Sequence, residues 1–113
     1  MNLQSIQDEL KHASRKFHKA STIIDVGGAK FGGEHFSVIA GPCSVESEAQ
    51  IIEIARSVKE GGATVLRGGA FKPRTSPYDF QGLGKEGLRL LVLAKKEVGL
   101  PIVSEIIREG ELE

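Results

Sequence analysis

Between residues 36 and 106 short apolar runs alternate with stretches whose apolar residues recur every three or four positions, and this alternation limits the fold most. Residues 36–40 (Phe-Ser-Val-Ile-Ala) read as a strand that stops at Gly41-Pro42. Ser47-Glu48-Ala49-Gln50 has the spacing of a capping box, and Ile51, Ile54, Ala55 and Val58 share one face of the helix it opens. Gly61-Gly62 ends that helix and Thr64-Val65-Leu66 begins a second strand. Leu88, Leu91, Ala94 and Val98 mark a second helix, Gly99 closes it, and residues 102–106 after Pro101 form a third strand. Strand, helix, strand, helix, strand is the order of parallel βαβ units, so the fold class is α/β.

Two segments precede this pattern. Leu3, Ile6, Leu10, Ala13 and Phe17 form the apolar stripe of an amphipathic helix, which needs a partner to cover it. Ser21-Thr22 is a connector. Ile23-Ile24-Asp25-Val26, Gly27-Gly28 and Ala29-Lys30-Phe31 then read as strand, two-residue turn and returning strand, closed by Gly32-Gly33. The chain divides accordingly into residues 1–22, helix and connector, and residues 23–113, hairpin plus α/β part.

The 113 residues suffice for one ordinary domain, with 15 basic and 15 acidic side chains in balance. That balance and the scarcity of aromatic residues argue against a nucleic-acid partner. No apolar run is long enough to span a bilayer, so no membrane partner is expected. The first twenty residues lack the pattern of a secretory signal, and a single cysteine cannot form an internal disulfide. A reducing, cytoplasmic setting is the expectation.

Chemistry concentrates at the strand ends, where α/β folds place their ligand sites. Cys43, Arg67 and Glu105 all fall at or just past such ends. Arg67, Lys72 and Arg74 crowd one segment interrupted by Gly68, Gly69 and Pro73, with the hydroxyl of Thr75 alongside. A helix would scatter these charges, whereas a strand running into a stiffened loop aims them at one spot. Such a spot suits a phosphate or carboxylate, since Arg supplies a planar fork of donors and Lys a point charge. A solvated basic loop would carry the same charges. The apolar run before the segment and the long connection from Ala70 to Gly82 favour a site. Arg67, directly after Thr64-Val65-Leu66, is expected close to buried and in need of an anion. Cys43 is a small buried residue, a metal ligand or a nucleophile; Glu105 is a solvated charge or a group placed for chemistry. His12, His18 and His35 read as surface residues.

Ile39-Ala40-Gly41-Pro42-Cys43-Ser44-Val45-Glu46-Ser47, residues 66–77 and Tyr78-Asp79-Phe80-Gln81-Gly82-Leu83-Gly84 resemble 3-deoxy-D-arabino-heptulosonate 7-phosphate (DAHP) synthase, in the bacterial type preceded by a β-hairpin. Lys72-Pro73-Arg74-Thr75-Ser76 is the specific part, since the related 3-deoxy-octulosonate 8-phosphate synthases usually differ there. The resemblance implies a (β/α)8 barrel and an aldol-type transferase reaction. Phosphoenolpyruvate, erythrose 4-phosphate and water give DAHP and phosphate, the first step of the shikimate pathway of aromatic amino acid biosynthesis. It further implies a divalent metal with Cys43 as ligand. Arg67 and Lys72 would bind phosphoenolpyruvate, with Lys72 also catalytic and Glu105 nearby. Lys72, Pro73, Arg74 and Thr75 would bind erythrose 4-phosphate. The full-length protein is expected to be a homo-oligomer.

A barrel of this kind takes about 250 residues. The family's remaining metal ligands, a His, a Glu and an Asp, lie on later strands. The expectation is therefore a truncated chain, inactive alone, with open sheet edges and exposed Leu90, Val92 and Leu93. Val92-Leu93 and Ile107-Arg108-Glu109-Gly110 depart from the family's usual sequence. A non-catalytic remnant or interaction module, and a related sugar-acid synthase, are the alternatives.

Overall fold

The computed structural model describes residues 13–15, 17–72 and 76–112. Leu3, Ile6 and Leu10 of the expected N-terminal helix lie outside the described residues. Near its end, the amides of Phe17 and His18 close a turn onto the Ser14 carbonyl, at 3.2 and 2.9 Å.

The hairpin forms as the sequence implies. Strands β1 (Ile24–Val26) and β2 (Ala29–Phe31) pair antiparallel, with Asp25 opposite Lys30. Gly27 and Gly28 both have positive φ, 56° and 95°, as the favoured two-residue hairpin turn demands. The Asp25 carboxylate accepts the Gly28 amide at 2.8 Å. The hairpin tip lies against the α/β part, since a Cβ on Gly27 would stand 3.0 Å from Pro101 Cβ.

Strands β3 (Ile39–Ala40), β4 (Val65–Arg67) and β5 (Ile102–Val103) form a parallel sheet in the order β3-β4-β5. Helix α1 (Glu48–Glu60) links β3 to β4, and α2 (Lys85–Val98) links β4 to β5. This is the α/β arrangement expected from the alternation. Leu66 joins Val45, Ile51, Ala55, Leu90, Leu91, Ala94, Val98 and Leu100 in one core between sheet and helices. Side chains alternate along a strand, so Val65 and Arg67 point to the opposite face. Their register partners Ile39 and Val103 share that face, and both are substantially exposed, 47% and 39%.

Both outer strands are shorter than their apolar runs. The Thr64 hydroxyl accepts the Val38 amide at 3.0 Å, so a side chain takes a donor that a longer β3 would give to the ladder. Phe36 is 90% exposed. At the other edge the Ser104 hydroxyl donates to the Gly68 carbonyl at 2.7 Å, where the next amide of a longer β5 would bind.

The cap of α1 is a variant of the expected box. Ser47 Oγ accepts the Gln50 amide at 3.1 Å, but Gln50 Oε1 reaches past Ser47 to the Glu46 amide, at 2.9 Å. Gln50 Nε2 also donates to the Ser44 carbonyl at 3.0 Å, tying the helix start to the loop that carries Cys43. Leu90 corrects the sequence reading. It is 4% exposed and belongs to the core, because the buried face of α2 is wide enough to take both Leu90 and Leu91. Val92 is exposed, as expected. Among the described residues no helix is long and apolar enough to cross a membrane.

Candidate anion site at the strand ends

Three strand ends converge on one place. The β3–α1 loop brings Cys43, β4 ends on Arg67, and the chain beyond β5 brings Glu105. Backbone bonds hold these loops in register. The Val45 amide donates to the Gly69 carbonyl at 2.9 Å, and Arg67 Nη1 donates to the Pro42 carbonyl at 3.3 Å. The long loop after β4 is closed at its base: Lys72 N donates to Gln81 O and Gly84 N to Ala70 O, both at 2.8 Å.

Among the described residues Lys72 is the buried cation of the cluster, 4% exposed, and its ammonium forms an ion pair with the Glu105 carboxylate. Its path depends on Gly69. A Cβ there would overlap Lys72 Nζ and Cε and press on the Cys43 carbonyl. Gly41 plays a matching part at the end of β3, where a Cβ would run into the Arg67 carbonyl.

Arg67 departs from its expectation of near-complete burial. It is half-buried, and its guanidinium donates to a backbone carbonyl and reaches the Cys43 thiol. The burial falls on Lys72 because Gly69 leaves a gap for the longer reach of that side chain. Cys43 is exposed, so the reading as a small buried residue is overturned. Its position just past the strand, on a loop that opens outward before the fully buried Val45, explains this. The positive charge of Lys72 and a hydrogen bond from it hold the Cys43 thiol below the ordinary value, with Arg67 adding to the effect and desolvation opposing it. The cluster thus favours a thiolate on Cys43 and offers Arg67 and Lys72 to an anion.

Pro73, Arg74 and Thr75 lie outside the described residues, as does His12. His18 and His35 are exposed, as expected. Sequence reasoning missed Ser104 and Ser44. Ser104 braces Gly68, next to Arg67. Ser44 is 8% exposed and its hydroxyl has no hydrogen-bond partner among the described residues. Gly68-Gly69 gave a signal, as a pair of glycines inside a charged segment; the two serines gave none.

Among the described residues no group of three His, Cys, Asp or Glu side chains is placed to hold a metal. Cys43 fits a metal centre as a single donor, through its exposure and its thiolate-favouring surroundings, and not as a centre in itself.

The chain is an α/β protein with cationic side chains gathered at the carboxyl ends of its parallel strands, where folds of this class place their ligand sites. Residues 10–113 match the model of the DAHP synthetase I family, and the chain belongs to that family. It is 50% identical over 102 residues to the phospho-2-dehydro-3-deoxyheptonate aldolase of Thermotoga maritima, covering 90% of this chain and 30% of that protein. It is 39% identical over 98 residues to the 2-dehydro-3-deoxyphosphooctonate aldolase of Syntrophotalea carbinolica, covering 80% of this chain and 35% of that protein. The crystal structure of the Thermotoga DAHP synthase superposes with a TM-score of 0.78 at 49% identity, over 87% of this chain and 28% of that one. A truncated form of the same enzyme gives 0.71 at 44% identity, over 87% and 34%. The chain therefore spans about a third of the length of the relatives it matches.

Proposed function

We propose that this sequence supplies the first strands and part of the active site of a DAHP synthase. The observation that carries the reading is the convergence of Cys43, Arg67, Lys72 and Glu105 at the ends of β3, β4 and β5. The three parallel strands correspond to the start of a (β/α)8 barrel, with residues 1–22 and the hairpin preceding it. The exposed face bearing Ile39 and Val103 is then the side that turns toward the barrel interior.

In this reading Arg67 and Lys72 hold the phosphate and carboxylate of phosphoenolpyruvate, and Glu105 lines the same subsite. Pro73, Arg74 and Thr75 carry erythrose 4-phosphate, with Arg74 and Thr75 toward its phosphate. Cys43 is one ligand of a divalent metal, which when bound polarises the sugar aldehyde. Carbon three of phosphoenolpyruvate bonds to the aldehyde carbon, water oxygen bonds to carbon two, and the C–O bond to phosphate breaks. Lys72, placed between the two subsites, offsets ligand charge and holds the reacting carbons together. The protein works in the cytoplasm, as a homo-oligomer, at the entry to aromatic amino acid biosynthesis.

The octulosonate aldolases among the relatives define a second reading, in which arabinose 5-phosphate is the sugar. The higher identity to the heptonate enzyme favours erythrose 4-phosphate. Turnover of the intact protein carrying this sequence decides, with phosphoenolpyruvate, a divalent metal and each sugar in competition. Consumption of erythrose 4-phosphate is expected. Preference for arabinose 5-phosphate, or no condensation with either sugar, overturns the proposal.

A further inference from the structure

We propose that Glu105 is an internal competitor for the ligand: its carboxylate holds Lys72 in the ligand-free protein and must give way when an anion binds, which lowers the affinity of the site. This rests on the reading of the site as the phosphoenolpyruvate subsite.

The two partners of the ion pair are unequally fixed. Lys72 is 4% exposed, and its ammonium lies against Gly69, where even a methyl group would collide with it. Glu105 is 36% exposed and lies past the end of β5. Lys72 therefore stays in place while the Glu105 carboxylate has a route to water. A buried ammonium without a counter-charge is costly, so the empty site needs an anion of its own. Glu105 provides one. The carbonyl of Pro42, on Arg67, is neutral, and the carboxylate in direct contact with the Lys72 ammonium is that of Glu105.

An arriving phosphate or carboxylate meets the same ammonium and is repelled by the carboxylate already there. Only the fraction of molecules with Glu105 displaced binds at full strength, so the apparent affinity falls by that fraction. A ligand with two anionic ends recovers the loss by engaging Arg67 as well, whose guanidinium keeps further N–H groups beyond the one given to Pro42.

The test titrates the intact protein carrying this sequence with phosphoenolpyruvate by calorimetry, beside Glu105→Gln and Glu105→Asp. Gln keeps the shape and removes the charge; Asp keeps the charge and shortens the reach. Binding about tenfold tighter in Glu105→Gln is expected, the lower end of what one charge-assisted contact contributes, with a smaller gain in Glu105→Asp. Ligand-free Tm should fall in both, because the pair with Lys72 loses its charge in one variant and is stretched in the other. If one variant fails to fold, the other carries the test. Equal or weaker binding in a folded variant overturns the inference and leaves the site assignment standing. Absence of binding in the wild type overturns the site assignment, and the inference with it.

Discussion

The two faces of the three-stranded sheet carry similar strand residues and have opposite surroundings. On one face Leu66 is fully buried among the side chains of α1 and α2. On the other, Ile39 and Val103 stand exposed beside Arg67. The first face is closed by elements adjacent in sequence, through local βαβ connections. The second is lined by the same strands and is covered at its centre, where Val65 is buried, but is open at both flanking strands. Stability is concentrated on the helix side and ligand chemistry at the strand ends, so substitutions should sort by face.

The largest difference should come from the core. Leu91→Ala removes a fully buried side chain and should cost about 2–5 kcal/mol, against about 1 kcal/mol or less for Val103→Ala in the 113-residue chain. Equal losses in urea titrations of the two variants would mean that the open face is packed in solution, through self-association. Sedimentation of the chain is expected to show an oligomeric or aggregating species joined at the open sheet edges, which leaves this face uncovered.

At the strand ends, effects should appear in ligand use rather than in stability. In the intact protein Arg67→Ala should impair phosphoenolpyruvate use, and Arg74→Ala should raise KM for erythrose 4-phosphate. Each should cost about 1.5–3 kcal/mol, roughly ten- to a hundredfold. If both variants instead lose Tm together with unchanged kinetics per folded molecule, the loop is structural and the contrast between faces fails.

Cys43 should show a smaller effect. Neighbouring positive charge favours the thiolate, so its alkylation by iodoacetamide should persist to lower pH than for an unperturbed thiol. Lys72→Ala removes the largest cause and should move the midpoint back up. An unchanged midpoint in that variant would sever the link between the two residues. The smallest effect should be that of Ser44→Ala. Its hydroxyl is buried without a partner among the described residues, so removal should leave stability within about 1 kcal/mol of wild type or raise it, by thermal melting. A clear loss would reveal a partner for Ser44 in solution.

Much of the fold was legible because its signals are local. The Gly27-Gly28 turn, the cap at Ser47 and the apolar faces of both helices follow from residues within a few positions of one another. Strand lengths were not legible, since Thr64 and Ser104 cut them short with side-chain bonds that no apolar pattern records. Leu90 was misplaced because the width of the buried stripe on α2 depends on what packs against it. At the site, the charges and glycines of residues 67–72 marked the segment whose Lys72 pairs with Glu105 and lies beside Cys43. Which cation is buried did not follow, because it depends on Gly69 meeting the Cys43 loop, a contact between distant parts of the chain.

Gly41 and Gly69 carry no functional group, yet each marks a place where the chain has no room for even one carbon more. Every replacement at these positions, alanine included, introduces that carbon. In a saturation library screened for growth that depends on this protein, both positions should therefore be as intolerant as Arg67 and Lys72, the charged residues they adjoin. The map of sensitive positions would then outline the site partly through residues that touch no ligand, and a search confined to reactive side chains would miss that part of its boundary.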